Sequence, residues 1–312
     1  MHIAVFGTGG VGGYFGGRLA QAGEQVSFIA RGEHLNAIRE RGLRVESIAG
    51  DFTVYPVSVS DDPAEIKTVD VVLLAVKSWQ VDEAARAMRP LIGPHTFVVP
   101  LLNGVEAPAQ LVEILGKEHV LGGLCGIFSF LAGPGRVRHA GITPFIKFGE
   151  LDHCISDRAQ ELEQVFARAS GLTVEVPANI HVAMWQKFLL ICPWSGVGAI
   201  TRAPMGVIRS QPGTRRMLEV VTEEIHRLAR ARDIALPVEA PQQAMAFYDN
   251  LPPEGTASMQ RDILEGRPSE LEAQNGAVVR LAEEAGIDVP VNAFIYYGLL
   301  PMELRARGEL SF

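Results

Sequence analysis

The chain alternates between two hydrophobic rhythms and then settles into one. Continuous apolar runs at Ile3–Phe6, Val69–Val76 and Thr96–Pro100 are too short for helices and read as strands buried on both faces of a parallel sheet. Gln25–Ala30 reads as another. Between them lie segments suited to helices, the first from Tyr14 to Ala22, which contains no proline and stops at Gly23. Glycine-rich, β-branched stretches between Val120 and Glu150 read as strands that complete or extend the same sheet, Ile155–Ala169 as a helix, and Leu172–Val176 as a last strand. After Pro177 the strand rhythm ends. Helical patterns follow at Ile180–Ile200, Thr214–Arg232, Ala240–Asn250 and Glu270–Ala285, with an apolar stretch at Val289–Leu304. The expectation is an α/β fold: an N-terminal Rossmann doubly wound sheet over residues 1–177, then an all-helical C-terminal domain over residues 178–312. Ser269 with Glu272 three positions on forms a capping-box pattern that predicts the start of one helix, and Gly286 followed by Pro290 predicts its end.

The first strand breaks directly into Gly7-Thr8-Gly9-Gly10-Val11-Gly12. This is the Gly-x-Gly-x-x-Gly turn of a dinucleotide site: Gly7 for the tight turn, Gly9 for close approach of a phosphate, Gly12 for packing of the helix on the strand. The helix N-terminus then offers free N–H groups to the anion. At the end of the second strand, about 20 residues beyond the glycines, such units read the ribose. Here that place holds Arg31, and a guanidinium suits a 2′-phosphate, which points to NADP(H) over NAD; the alternative is a solvated surface charge, partly neutralised by Glu33.

Length and composition fit two soluble domains. The 312 residues are 47% hydrophobic, enough for a large core, and the net charge of −8 with no basic run argues against nucleic acid as a partner. Cys125, Cys154 and Cys192 are far apart, odd in number and without metal-ligand spacing, as in a reducing, cytoplasmic setting. With the first strand at the N-terminus no signal peptide is expected, and the most apolar stretch, Phe188–Ile200, is too short to span a membrane. The apolar C-terminal helices make a homodimer an expectation.

Three further places carry candidate chemistry. Lys187 opens a run too hydrophobic for a surface; it either snorkels or sits at a cleft where it can donate a proton. Lys77 and Asn103-Gly104 follow the third and fourth buried strands, where ligands bind in doubly wound sheets, although Asn-Gly is equally the composition of a plain turn.

Taken together, Gly7–Gly12, Ala30-Arg31-Gly32, Lys77-Ser78-Trp79-Gln80, Leu102-Asn103-Gly104-Val105, Trp185-Gln186-Lys187 and Ser258-Met259-Gln260-Arg261-Asp262 followed by Glu270 resemble the ketopantoate reductases (2-dehydropantoate 2-reductases) of the PanE/ApbA type over the whole chain. The resemblance implies NADPH-dependent reduction of a 2-oxo acid, 2-dehydropantoate first among them, and a place in pantothenate biosynthesis. It implies Lys187 as general acid and Glu270 as a carboxylate that contacts the cofactor and helps position the lysine. By the same resemblance Asn103 contacts both cofactor and substrate, Ser258 contacts the substrate, and Gly7, Thr8, Gly9, Gly10, Val11, Gly12, Arg31 and Lys77 serve the cofactor. The chain departs from the family pattern on the helical face of Lys187: Ile191 and Ser195 stand where the family has asparagines, and Met205 aligns with a third. A drier pocket for a more apolar 2-oxo acid is one consequence, with Arg202 either a carboxylate anchor or a solvated charge. A non-catalytic NADPH-sensing protein is the other alternative, disfavoured because a sensor needs neither Lys187 nor Glu270.

Overall fold

The computed structural model describes Met1–Phe312, and the chain divides into two compact units. The first comprises Met1–Leu102 and Ala107–Ile180; the second comprises His181–Phe312 together with the four residues Asn103–Glu106. The division expected at Pro177 therefore falls at Ile180, and the short Asn103–Glu106 segment departs from a simple N-terminal and C-terminal split.

In the first unit the chain runs β1 (His2–Phe6), α1 (Gly10–Gln21), β2 (Gln25–Ile29), α2 (Gly32–Arg41), β3 (Leu43–Ser47), β4 (Phe52–Val54), β5 (Ser58–Ser60), β6 (Val69–Leu74), α3 (Val81–Ala87) and β7 (Ile92–Pro100). It continues with α4 (Ala107–Leu115), β8 (Gly122–Gly133), β9 (Arg136–Gly149), α5 (Asp157–Ala167) and β10 (Thr173–Glu175). Strands β5-β2-β1-β6-β7 form a wholly parallel sheet, in register Val5 to Phe28 and Val5 to Leu73 at its centre. The continuous apolar runs are its strands, buried on both faces as parallel pairing requires.

The stretch from Val120 to Glu150 behaves otherwise than expected. β8 and β9 do not extend this sheet; they form a long antiparallel hairpin in a second one, ordered β10-β9-β3-β4 with β8 on β9. Their burial is patchy along the hairpin, as suits an antiparallel ladder with a wet face. The choice of partner strand is non-local and leaves no mark in periodicity.

Helix α1 lies between the two sheets, and its glycines allow this. A Cβ on Gly16 would come within 2.5 Å of Val5 and 2.7 Å of Phe28 in the first sheet, and one on Gly13 within 2.7 Å of Val137 in the second. The helix that opens at the glycine loop thus packs its bare backbone against side chains of both sheets.

The second unit is helical: α6 (Ile180–Thr201), whose first residue still belongs to the first unit, α7 (Met205–Ser210), α8 (Pro212–Ala231), α9 (Ala240–Asn250), α10 (Ser258–Leu264), a π-helical turn at Glu272–Gly276, α11 (Ala277–Ala285) and α12 (Pro290–Ala306). No helix is long and apolar enough to cross a membrane. Phe188, Cys192, Val197, Leu218, Ile225, Tyr248, Leu271 and Ile295 belong to one core. Pro193 lies inside α6 and cannot donate to the carbonyl of Leu189. The fully buried Tyr248 phenol reaches across to fill that gap, donating to the Leu189 and Leu190 oxygens at 3.2 and 2.9 Å. Burial holds the Tyr248 hydroxyl far above its ordinary pKa, so it remains a donor.

The capping box predicted at Ser269 does not form. The Ser269 N–H and hydroxyl both go to the buried Glu303 carboxylate, and Glu272 turns to Arg280 and Tyr296. The helix end at Gly286 is as expected, in the left-handed region at φ 66°.

Candidate active site

Each unit carries some of the candidate residues. In the first, Gly7 has φ 99°, and a Cβ there would stand 2.8 Å from the Ala75 oxygen; Gly12 leaves no room at all, its Cβ position lying 2.2 Å from the Gly7 oxygen. Thr8 spends its side chain inside the fold, donating to the Ile29 oxygen at 2.8 Å and so tying the loop to the end of β2. Gly9 caps α1 with no side-chain hydrogen bond, and nothing lies within 4 Å of where its Cβ would be. Gly10 passes the backbone of Ser129 on β8, at 2.7 Å from a Cβ position, and Val11 is half-buried against the core. An uncapped helix N-terminus above an open glycine is a cradle for an anion, so these residues fit a dinucleotide pyrophosphate.

Arg31 caps α2 directly after β2. Its side chain is 63% exposed, and its partner is Glu83 of α3 at 3.3 Å, not the Glu33 that proximity in sequence suggested. So exposed a pair is worth about 0–1 kcal/mol and is readily exchanged for a phosphate. Lys77, half-buried after β6, holds its ammonium 5.7 Å from the Trp79 ring centroid, at the start of a single 3-10 turn, Ser78–Gln80.

In the second unit three side chains form a relay. The Lys187 ammonium on α6 donates to Asn103 Oδ1 at 3.0 Å, and Asn103 Nδ2 donates to Glu270 Oε2 at 2.8 Å. Lysine only donates and a carboxylate only accepts, so the amide's orientation follows from its two neighbours. Each bond has a charged partner, and with Glu270 5% exposed and Lys187 half-buried neither is well screened. Sequence reasoning singled out all three residues; the structure adds that the asparagine stands between lysine and carboxylate.

The other expected substrate residues are more dispersed. Ile191 and Ser195 share the Lys187 face of α6, Ile191 half-buried and Ser195 buried. Ser258 is exposed at the start of α10. Met205 is fully buried in the helical core, and Arg202 is exposed at φ 58°.

The pattern of the ketopantoate reductase PanE/ApbA family matches residues 3–153, and that of the family's C-terminal part matches residues 179–303. The chain belongs to this family. It is 30% identical over 314 residues to a 2-dehydropantoate 2-reductase of Nostoc, covering 99% of this chain and 97% of that one. It is 29% identical to an uncharacterized oxidoreductase, YkpB, of Bacillus subtilis, covering 96% and 98%. Among solved structures, a PanE/ApbA family ketopantoate reductase from Ralstonia eutropha superposes with a TM-score of 0.90 at 33% identity, over 98% of this chain and 100% of that one. The fold is that of the ketopantoate reductases, the chain is an oxidoreductase, and its chemistry is oxo acid reduction of the kind these enzymes perform.

Proposed function

We propose that the protein reduces a 2-oxo acid to the 2-hydroxy acid with NADPH, and that 2-dehydropantoate is its substrate. The Lys187–Asn103–Glu270 relay carries this reading. Reduction of a ketone builds negative charge on the carbonyl oxygen, which needs a cation and a proton within hydrogen-bond reach. Lys187 supplies both: as an ammonium it stabilises the developing alkoxide, and by giving up one proton it leaves a neutral hydroxyl and a neutral amine that solvent reprotonates. Asn103 and Glu270 hold the ammonium against free rotation about its four-carbon stem. The glycine loop would hold NADPH and Arg31 its 2′-phosphate, and the bound nicotinamide would supply the hydride. Lys77 adds a cation beyond the end of β6, where doubly wound folds bind ligands.

A more apolar 2-oxo acid is the second reading, favoured by Ile191, half-buried on the Lys187 face of α6 where the family has an amide. An unpaired hydroxyl in an apolar pocket costs about 1–3 kcal/mol. The experiment is a panel of 2-oxo acids with NADPH, following loss of nicotinamide absorbance. Turnover of ketopantoate supports the first reading. Preference for its deoxy analogue, reversed in Ile191→Asn with Ser195→Asn, supports the second. No turnover of any 2-oxo acid refutes both.

A further inference from the structure

We propose that Arg280 is a positioning residue for this reaction, holding the Asn103–Glu106 loop so that the Asn103 amide meets Lys187 and Glu270 at once; the proposal rests on the reading of that relay as the proton-delivering group. Asn103 must satisfy two bonds, at 3.0 and 2.8 Å, from a loop of four residues. The loop is fastened along its length to the segment that carries Glu270. Gly104 has φ 98° and passes the π turn so closely that a Cβ would lie 2.7 Å from the Ala273 oxygen. Glu106 then accepts from Arg280 Nη2 at 2.8 Å.

The same guanidinium donates to the Glu272 carboxylate at 2.9 Å and to the Glu272 backbone oxygen at 2.8 Å. Glu272 is further held by the Tyr296 hydroxyl at 2.8 Å. A π turn leaves carbonyls outside the regular α-helical ladder, and Arg280 takes one of them. One rigid fork thus ties the far end of the Asn103 loop to the turn that begins two residues after Glu270. A lysine ammonium, a single point charge on a flexible stem, has no such fork. The pairs are partly open to solvent, with 43% of Arg280, 25% of Glu106 and 41% of Glu272 exposed, so their worth in stability is small. Their geometric worth is larger, because displacing a group at a reaction centre by about 1 Å can cost 10²-fold.

The test uses Arg280→Ala and Glu106→Gln, the second of which leaves the Arg280–Glu272 contacts in place. In the protein without substrate, hydrogen exchange of the Asn103 side-chain amide, followed by ¹⁵N NMR, is expected to quicken at least about tenfold in both variants as the loop loosens. In turnover, kcat is expected to fall about tenfold with KM for the 2-oxo acid changed less than about threefold. Arg280→Lys should recover part of the loss, and adding Arg280→Ala to Asn103→Ala should lose nothing more. Unchanged amide exchange in both single variants overturns the proposal, as does a loss that multiplies in the double variant. If wild type reduces no 2-oxo acid, the functional reading fails, and the amide exchange still decides the positioning role.

Discussion

Replacing Asn103 by aspartate changes one atom of the relay and reverses one of its two bonds. The acceptor toward Lys187 is kept. Toward Glu270, a donor at 2.8 Å becomes a second carboxylate oxygen. Two unit charges at that distance repel by about 6 kcal/mol at an effective dielectric constant of 20. The pair escapes by sharing one proton, which restores an O–H donor toward Glu270. For a carboxyl of ordinary pKa near 4, taking up a proton at pH 7 costs about 4 kcal/mol, or three decades. The Lys187 ammonium, 3.0 Å from the same oxygen, attracts the new carboxylate about as strongly as Glu270 repels it, so uptake keeps most of its cost and Asn103→Asp should lose about two to three decades in kcat/KM at pH 7. The sign with pH follows, since the protonated pair is the competent form. Relative to wild type, activity should recover about tenfold per unit as pH falls toward 5. Asn103→Ala, lacking any group to protonate, should lose as much or more and show no such recovery. The assay is kcat/KM for NADPH oxidation with ketopantoate across pH 5–8, with thermal unfolding to confirm that each variant is folded. An Asn103→Asp enzyme within about twofold of wild type at pH 8, or one whose deficit is unmoved by acid, would refute the bridging role.

Two further expectations concern the first unit. Arg31→Ala should weaken NADPH binding far more than NADH binding, because its guanidinium faces solvent with only the exposed Glu83 as partner; equal losses by fluorescence titration would mean that it reads something other than the 2′-phosphate. Glu150 is a stability prediction: burial raises its pKa, but hydrogen bonds from Arg158 at 2.6 and 2.7 Å and from Ser156 at 2.6 Å outweigh this and hold it below the ordinary carboxylate value. Its contribution is therefore present above the unfolded pKa and lost as pH falls through the lower folded one. Glu150→Gln should cost about 1–3 kcal/mol at pH 7, and its Tm should converge with wild type as pH falls below the ordinary carboxylate range; a gap constant with pH would contradict the ion pair.

The parts of this molecule that were legible in its sequence are those fixed by local chemistry. The Gly7–Gly12 loop needs only its own backbone, and four of the five parallel strands show as short, largely apolar runs; the edge strand β5, Ser-Val-Ser, is too short and polar to show. The long helices, including α6 with Pro193, announce themselves by pattern. What stayed hidden depends on distant partners: β8 and β9 pairing in a sheet of their own, Ser269 turning from its predicted cap to Glu303, and Arg31 meeting Glu83. The relay divides the same way. Lys187, Asn103 and Glu270 each stood out, but only folding across 84 and 167 positions of sequence places the amide between the two charges. Arg280 and Glu106 gave no signal, being charged residues on polar segments, which is the commonest pattern on any surface.

The central claim, that Lys187 delivers the proton in an NADPH-dependent reduction, is met most directly by kcat of Lys187→Ala with NADPH binding measured alongside. The account predicts a kcat lowered by about 10² or more, in the range of a lost general acid, with NADPH affinity changed less than about threefold. A variant that turns over near the wild-type rate would contradict it, leaving Lys187 a lysine that merely extends its charge from an apolar helix toward water.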